Sequence, residues 1–136
     1  MYPAFTYVDF PCYVTRAFLI LKPEGINLKY LTAVLNSRLI FFWLRHKGKR
    51  QGEQLQIDKE PLMDIPLFKA TEREQEKIVA MVDMIMARNV EFHKTSVNTD
   101  KWHSLKIEIE KVERQIDEVI YKLYGLTNEE IRTIEE

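Results

Sequence analysis

One apolar pattern between residues 102 and 123 limits the possible folds more than any other feature of this chain. Trp102, Leu105, Ile109, Val112, Ile116, Val119 and Leu123 recur at spacings that alternate between three and four, which is a coiled-coil seam sustained over about three heptads. A helix with such a stripe must bury it against another. The sequence offers a partner just upstream. Thr71 and Glu74 form a capping box that satisfies two otherwise unpaired backbone donors. The helix they open, expected over residues 72–92, carries Ile78, Val82 and Ile85, with Met81 and Met86 on the neighbouring ridge. Residues 93–99 lack periodicity and contain Ser96 and Asn98, so they read as a reversing connection. An antiparallel helical hairpin is expected, with pairing between two copies as the other use of the seam. Gly125 then stops the long helix, and Thr127 with Glu130 caps a short terminal one bearing Ile131 and Ile134.

The first half has a different texture. Residues 12–22, CYVTRAFLILK, are rich in β-branched and aromatic side chains, follow Pro11 and end at the turn Pro23-Glu24-Gly25. That pattern predicts a strand, and a further strand through residues 6–8 would complete a hairpin or sheet fragment. Asn27 suits the N-cap of a helix over residues 28–46, where Leu28, Leu31, Leu35, Leu39 and Phe42 keep helical spacing. Val34, Ile40, Trp43 and Leu44 widen its apolar face, so it is expected to be a buried spine. Gly48 stops it, residues 47–56 read as a polar loop, residues 55–57 as a short strand, and Pro61 to Pro66 as extended chain. The expected fold class is α+β: a small sheet packed on a buried helix, followed by an antiparallel, coiled-coil-like α-helical hairpin. The expected division is a partial α/β unit at 1–69 and a helical hairpin at 70–136.

With 46% hydrophobic and 30% charged residues in 136, the composition is that of a soluble globular chain, and no apolar stretch nears the ~20 residues of a membrane span. The N-terminus has no cationic leader with an apolar core, so a cytoplasmic home is expected. Cys12 is the only cysteine, which excludes an internal disulfide and a thiolate zinc site and suits small apolar packing. The net charge of -1 conceals an asymmetry. Residues 1–69 hold 10 Lys and Arg against 6 Asp and Glu, whereas residues 70–136 hold 10 against 15. The two halves therefore suit different partners.

Several chemistries are missing from the sequence. There is no pair of adjacent prolines, hence no Asn/Asp-Pro-Pro-aromatic loop, and no Asp-x-Lys or Glu-x-Lys triplet for a restriction nuclease. The four glycines are too scattered to cradle a phosphate, and His46, His93 and His103 fall on different elements. Asp58, Glu60 and Asp64 read as a solvated loop rather than a magnesium site, given Lys59 and the nearby prolines. No catalytic centre, cofactor or metal is expected in this chain.

Between residues 45 and 50 the sequence RHKGKR places four fixed positive charges and one titratable ring at a helix end. Cations there are also favoured by the helix dipole and commonly just face solvent. Gln51, Gln54 and Gln56 supply amides suited to adenine, while Lys49 and Arg50 suit guanine edges or phosphates. The candidate DNA-binding set is Arg38, Arg45, His46, Lys47, Lys49, Arg50, Gln51, Gln54 and Gln56.

A series of motifs then resembles a known family. YLTAVLNSRLIFFWLRHKGKRQG (residues 30–52), LQIDKEPLMDIPL (55–67), EREQEKIVAMVDMIM (72–86) and a long helix ending near Leu-Tyr-Gly-Leu (123–126) occur in the order seen in the C-terminal target-recognition region of TaqI-like adenine methyltransferases and single-chain type IIG restriction-modification enzymes. The series is also similar to half of a type I restriction specificity subunit and covers about four fifths of the chain. The resemblance implies a unit that reads double-stranded DNA, and a helical spacer that docks on a methyltransferase or endonuclease domain or subunit. That catalytic partner would supply S-adenosylmethionine and Mg²⁺ and flip the target adenine. Relatives carry more sheet before the equivalent of Tyr13, so Met1 is expected to open a fragment or the second half of a split gene. The competing expectation is a helical protein-protein or dimerisation module without DNA contact.

Overall fold

The computed structural model describes residues 4–47, 49–51, 54–56 and 59–136. Of residues 49–51 and 54–56 it describes the backbone alone, and Gly48, Gly52 and Asp58 lie outside the described residues. The chain divides into two units, Met1–Leu67 and Phe68–Glu136.

In the N-terminal unit the Leu-Asn-Ser stretch at 35–37 sets the local architecture. Helix α1, Leu28–Leu35, starts at Asn27, whose side chain accepts hydrogen bonds from the Lys29 and Tyr30 amides at 2.9 and 3.3 Å. It stops at Asn36. Ser37, 2% exposed, donates through Oγ to the Val34 carbonyl at 2.6 Å and accepts from the Ile40 amide at 3.3 Å. One hydroxyl thus closes α1 and opens α2, Arg38–Lys47, so its burial is matched by two partners. The chain bends here, and the single helix expected over residues 28–46 is two. Tyr30, Val34, Ile40 and Leu44 are buried, joined by Leu31, Ala33, Leu35 and Ile65. The Asn36 side chain also clasps extended backbone, accepting from the Phe5 amide and donating to the Phe5 carbonyl, both at 2.8 Å.

The α+β expectation is overturned. Residues 12–22 form no strand: they are exposed, with a turn in which the Phe18 amide donates to the Thr15 carbonyl at 3.1 Å. The expected strand at residues 6–8 is absent too. β-branched side chains fit a pleated surface only when a neighbouring strand supplies the ladder, and no described residue pairs with this segment. The sole sheet among the described residues is an antiparallel hairpin of β1, Lys49–Gln51, and β2, Gln54–Gln56. The other regular elements are all helices, so no sheet layer packs on a buried helix. Residues 61–66, expected to be extended, begin inside the short helix α3, Lys59–Met63. Proline is tolerated in a helix's first turn, where its missing N–H removes no bond.

The C-terminal unit is a helical hairpin. Helix α4, Glu72–Lys94, opens with the complete Thr71/Glu74 capping box. Helix α5, Asp100–Leu123, opens with Thr99, whose hydroxyl accepts from the Trp102 amide. Ile78 and Val82 of α4 are buried, as are Leu105, Ile109, Val112, Ile116 and Ile120 of α5, and the two helices pack together. Toward the C-terminus the buried stripe moves from the expected Val119 and Leu123, both half-buried, to Ile120 and Tyr121. A straight helix drifts about 20° per heptad from a strict seven-residue repeat, which accounts for the change. Met86, expected on the apolar face of α4, is exposed. Arg88 reaches Glu108 at 3.0 Å, Lys101 reaches Glu91 at 2.9 Å, and the Phe92 and Trp102 rings stack at 5.2 Å. Gly125 takes the left-handed conformation, φ +66°, before α6, Asn128–Glu135, which opens with the Thr127/Glu130 capping box. Among the described residues no helix is long and apolar enough to cross a membrane.

Candidate nucleic-acid interface

Four of the nine candidate residues lie on α2, and helix geometry separates them. Arg38 and Arg45, both exposed, are seven residues apart, hence about 10 Å along the axis and only about 20° around it. His46 adjoins that face. Its Nδ1 lies 2.8 Å from the Phe42 carbonyl oxygen and its ring 4.3 Å from the Phe42 ring. A carbonyl oxygen only accepts, so Nδ1 carries the hydrogen and Nε2 is left for an outside partner. Lys47, also exposed, stands about 160° around α2 from Arg45. Only Arg38, Arg45 and His46 share a side.

Arg45, His46 and Lys47 occupy the last turn of α2, where the backbone carbonyls give the helix end a partial negative charge. The dipole therefore stabilises the cations, and an incoming polyanion would find them collected at one end of the helix. The remaining five candidates, Lys49, Arg50, Gln51, Gln54 and Gln56, belong to the β1–β2 hairpin, where the backbone shows a register but the side chains lie outside the described residues. Lys49 pairs with Gln56, Arg50 with Leu55, and Gln51 with Gln54. Within the loop expected at 47–56, residues 49–51 and 54–56 thus pair as a two-stranded ribbon, and Lys47 ends α2.

Sequence reasoning missed Phe42 as the residue that holds His46. The spacing of four was the available signal, since residues four apart on a helix are neighbours. It also missed Asn36 and Ser37, because apolar periodicity runs straight through them. Their side-chain chemistry, typical of helix boundaries, was the available clue.

No family model and no solved structure matches the chain. It is 30% identical over 117 residues to the type II methyltransferase M.HincII of Haemophilus influenzae, a match covering 77% of this chain and 23% of that protein. The type II methyltransferase M.HindII of the Rd strain of Haemophilus influenzae is also 30% identical over 117 residues, with 22% of its length covered. The chain spans less than a quarter of the length of the curated relatives it matches. It is similar to a portion of type II methyltransferases, which relates it to restriction-modification systems.

Proposed function

We propose that this chain is the DNA target-recognition part of a restriction-modification system. It reads a site in duplex DNA and brings an adenine methyltransferase, with or without an endonuclease, to it. The observation that carries this reading is the exposed cationic last turn of α2, with Arg38 at the start of the helix aligned with Arg45, in a chain related to type II methyltransferases. Phosphates attract such a face without regard to sequence, and groove contacts then choose among sequences. The chain has no catalytic role of its own in this reading. The partner binds S-adenosylmethionine and any Mg²⁺ and flips the adenine, while the acidic helical unit supplies the docking surface.

Binding to a mixed-sequence DNA duplex, followed by fluorescence anisotropy between 50 and 200 mM salt, tests it. The logarithm of affinity should fall linearly with the logarithm of salt, and Arg38→Ala and Arg45→Ala should each flatten the slope by about 0.9 per lost phosphate contact. Binding that ignores salt, or no binding, overturns the reading. The competing protein-protein reading gains little from the seam, because α4 already occupies that face of α5.

A further inference from the structure

The β1–β2 register divides the basic, amide-rich segment into two faces. In an antiparallel pair, residues directly opposite each other share a face, and the face alternates every residue along a strand. Lys49, Gln51, Gln54 and Gln56 thus fall on one face of the hairpin, and Arg50 and Leu55 on the other. Resting on the DNA-recognition reading above, we propose that the hairpin enters the major groove as a two-stranded ribbon, with the 49/51/54/56 face toward the base edges and A·T pairs as its target.

The dimensions allow it. Three residues per strand give a ribbon about 10 Å long, against a major groove about 8.5 Å deep and about 12 Å wide that admits a β-ribbon. Residues two apart on a strand are separated by about 6.6 Å, roughly two base-pair steps, so the face covers about three base pairs. Glutamine pairs bidentately with adenine through N6 and N7, a pattern that no other base presents in that groove. Arg50 shares a face with Leu55, a residue with nothing to offer a base edge beyond the thymine methyl. Arg50 therefore contributes charge and not base choice, and the cationic end of α2, one residue before the hairpin, supplies the phosphate contacts.

Selection of the 136-residue chain against a randomised duplex pool, with sequencing of the bound fraction, tests the assignment. The unmodified chain should enrich a short motif containing A·T pairs. Gln51→Ala, Gln54→Ala and Gln56→Ala should each lose about 5- to 150-fold discrimination at one position, while keeping the salt slope that reports intact phosphate contacts. Arg50→Ala should keep the motif and flatten the slope. A motif unchanged by the glutamine variants but altered by Arg50→Ala overturns the face assignment and leaves DNA recognition standing. Failure of the unmodified chain to bind DNA at any salt overturns both.

Discussion

Both units bury an apolar core, but the N-terminal unit adds polar side chains that fix its bend and its helix start, whereas the C-terminal unit is fastened by a stripe of isoleucine, leucine and valine along α5. Asn27, Asn36 and Ser37 each satisfy two backbone groups within a few ångströms, and the bend at Asn36 and Ser37 sets the direction of α2. Leu105, Ile109, Val112, Ile116 and Ile120 satisfy no polar group; they only exclude water. Polar fastening fixes geometry, because hydrogen bonds fail outside a narrow range of distance and angle. Apolar fastening fixes association and tolerates drift, as the shift from Val119 to Ile120 shows. The proposed DNA-reading site, with Arg38 and Arg45 in line, calls for the first kind. The proposed spacer needs only the second.

The largest effect expected from this contrast comes from breaking the seam. Ile109→Glu with Ile116→Glu places two uncompensated charges in the α4–α5 interface, at about 3–5 kcal/mol each by analogy with broken buried pairs. That exceeds what a two-helix unit can spare. Far-UV circular dichroism should show the loss of most α4 and α5 helicity. Trp102 fluorescence should move to the red while Trp43, in the other unit, keeps its spectrum, with single-tryptophan variants separating the two signals. Retained helicity would contradict the seam assignment.

The contrast also explains what was legible beforehand. Apolar periodicity and two capping boxes are local signals that packing reinforces, so α4, α5 and α6 stand at the expected places. The segment at 12–22 has local strand propensity but no ladder partner among the described residues, and a strand is a property of a pair. The bend at Asn36 and Ser37 was hidden because Val34, Ile40 and Leu44 continue the apolar rhythm on both sides. The basic cluster was visible as composition. Its division into an α2 face with Arg38, Arg45 and His46, a separate Lys47, and two hairpin faces needs three-dimensional register.

An intermediate effect should come from the polar fasteners. Ser37→Ala leaves the Ile40 amide and one site on the Val34 carbonyl without their buried partner, at about 1–3 kcal/mol. It should lower the unfolding midpoint of the N-terminal unit alone. Asn36→Ala removes two bonds to Phe5 from an exposed position, worth about 0.5–1.5 kcal/mol each at most. Its clearer signature is faster hydrogen exchange at the Phe5 amide, with α2 unchanged. Should both variants melt like the parent, the bend owes its stability to the surrounding apolar residues and the contrast between units weakens. Within the helical unit, Thr71→Ala should cost about 1 kcal/mol through loss of the α4 cap, measurable as a small drop in the denaturation midpoint.

The smallest effects distinguish two carboxylates of the C-terminal unit through pH. Glu91 accepts a 2.9 Å hydrogen bond from Lys101 and lies 3.6 Å from Arg88, which holds its carboxyl below the ordinary value near 4.5. The stability it contributes is therefore present above pH 4.5 and is lost as pH falls through its folded value. Glu113 behaves in the opposite sense. Partial desolvation, then repulsion from Asp117 and Glu110, raises its carboxyl above 4.5, so its ionised form opposes folding at neutral pH and that opposition fades as pH falls through the raised value toward 4.5. Glu113→Gln should thus raise the melting temperature of this unit at pH 7, with the gain vanishing below about pH 4.5, where the parent carboxyl is protonated in both states. Glu91→Gln should lower it at pH 7, with the deficit closing only in stronger acid. Both charges sit beside the seam on water-accessible flanks, so each shift should be a few degrees at most. Effects of the same sign from the two variants at pH 7 would mean that net charge, and not these local partners, governs the acidic unit.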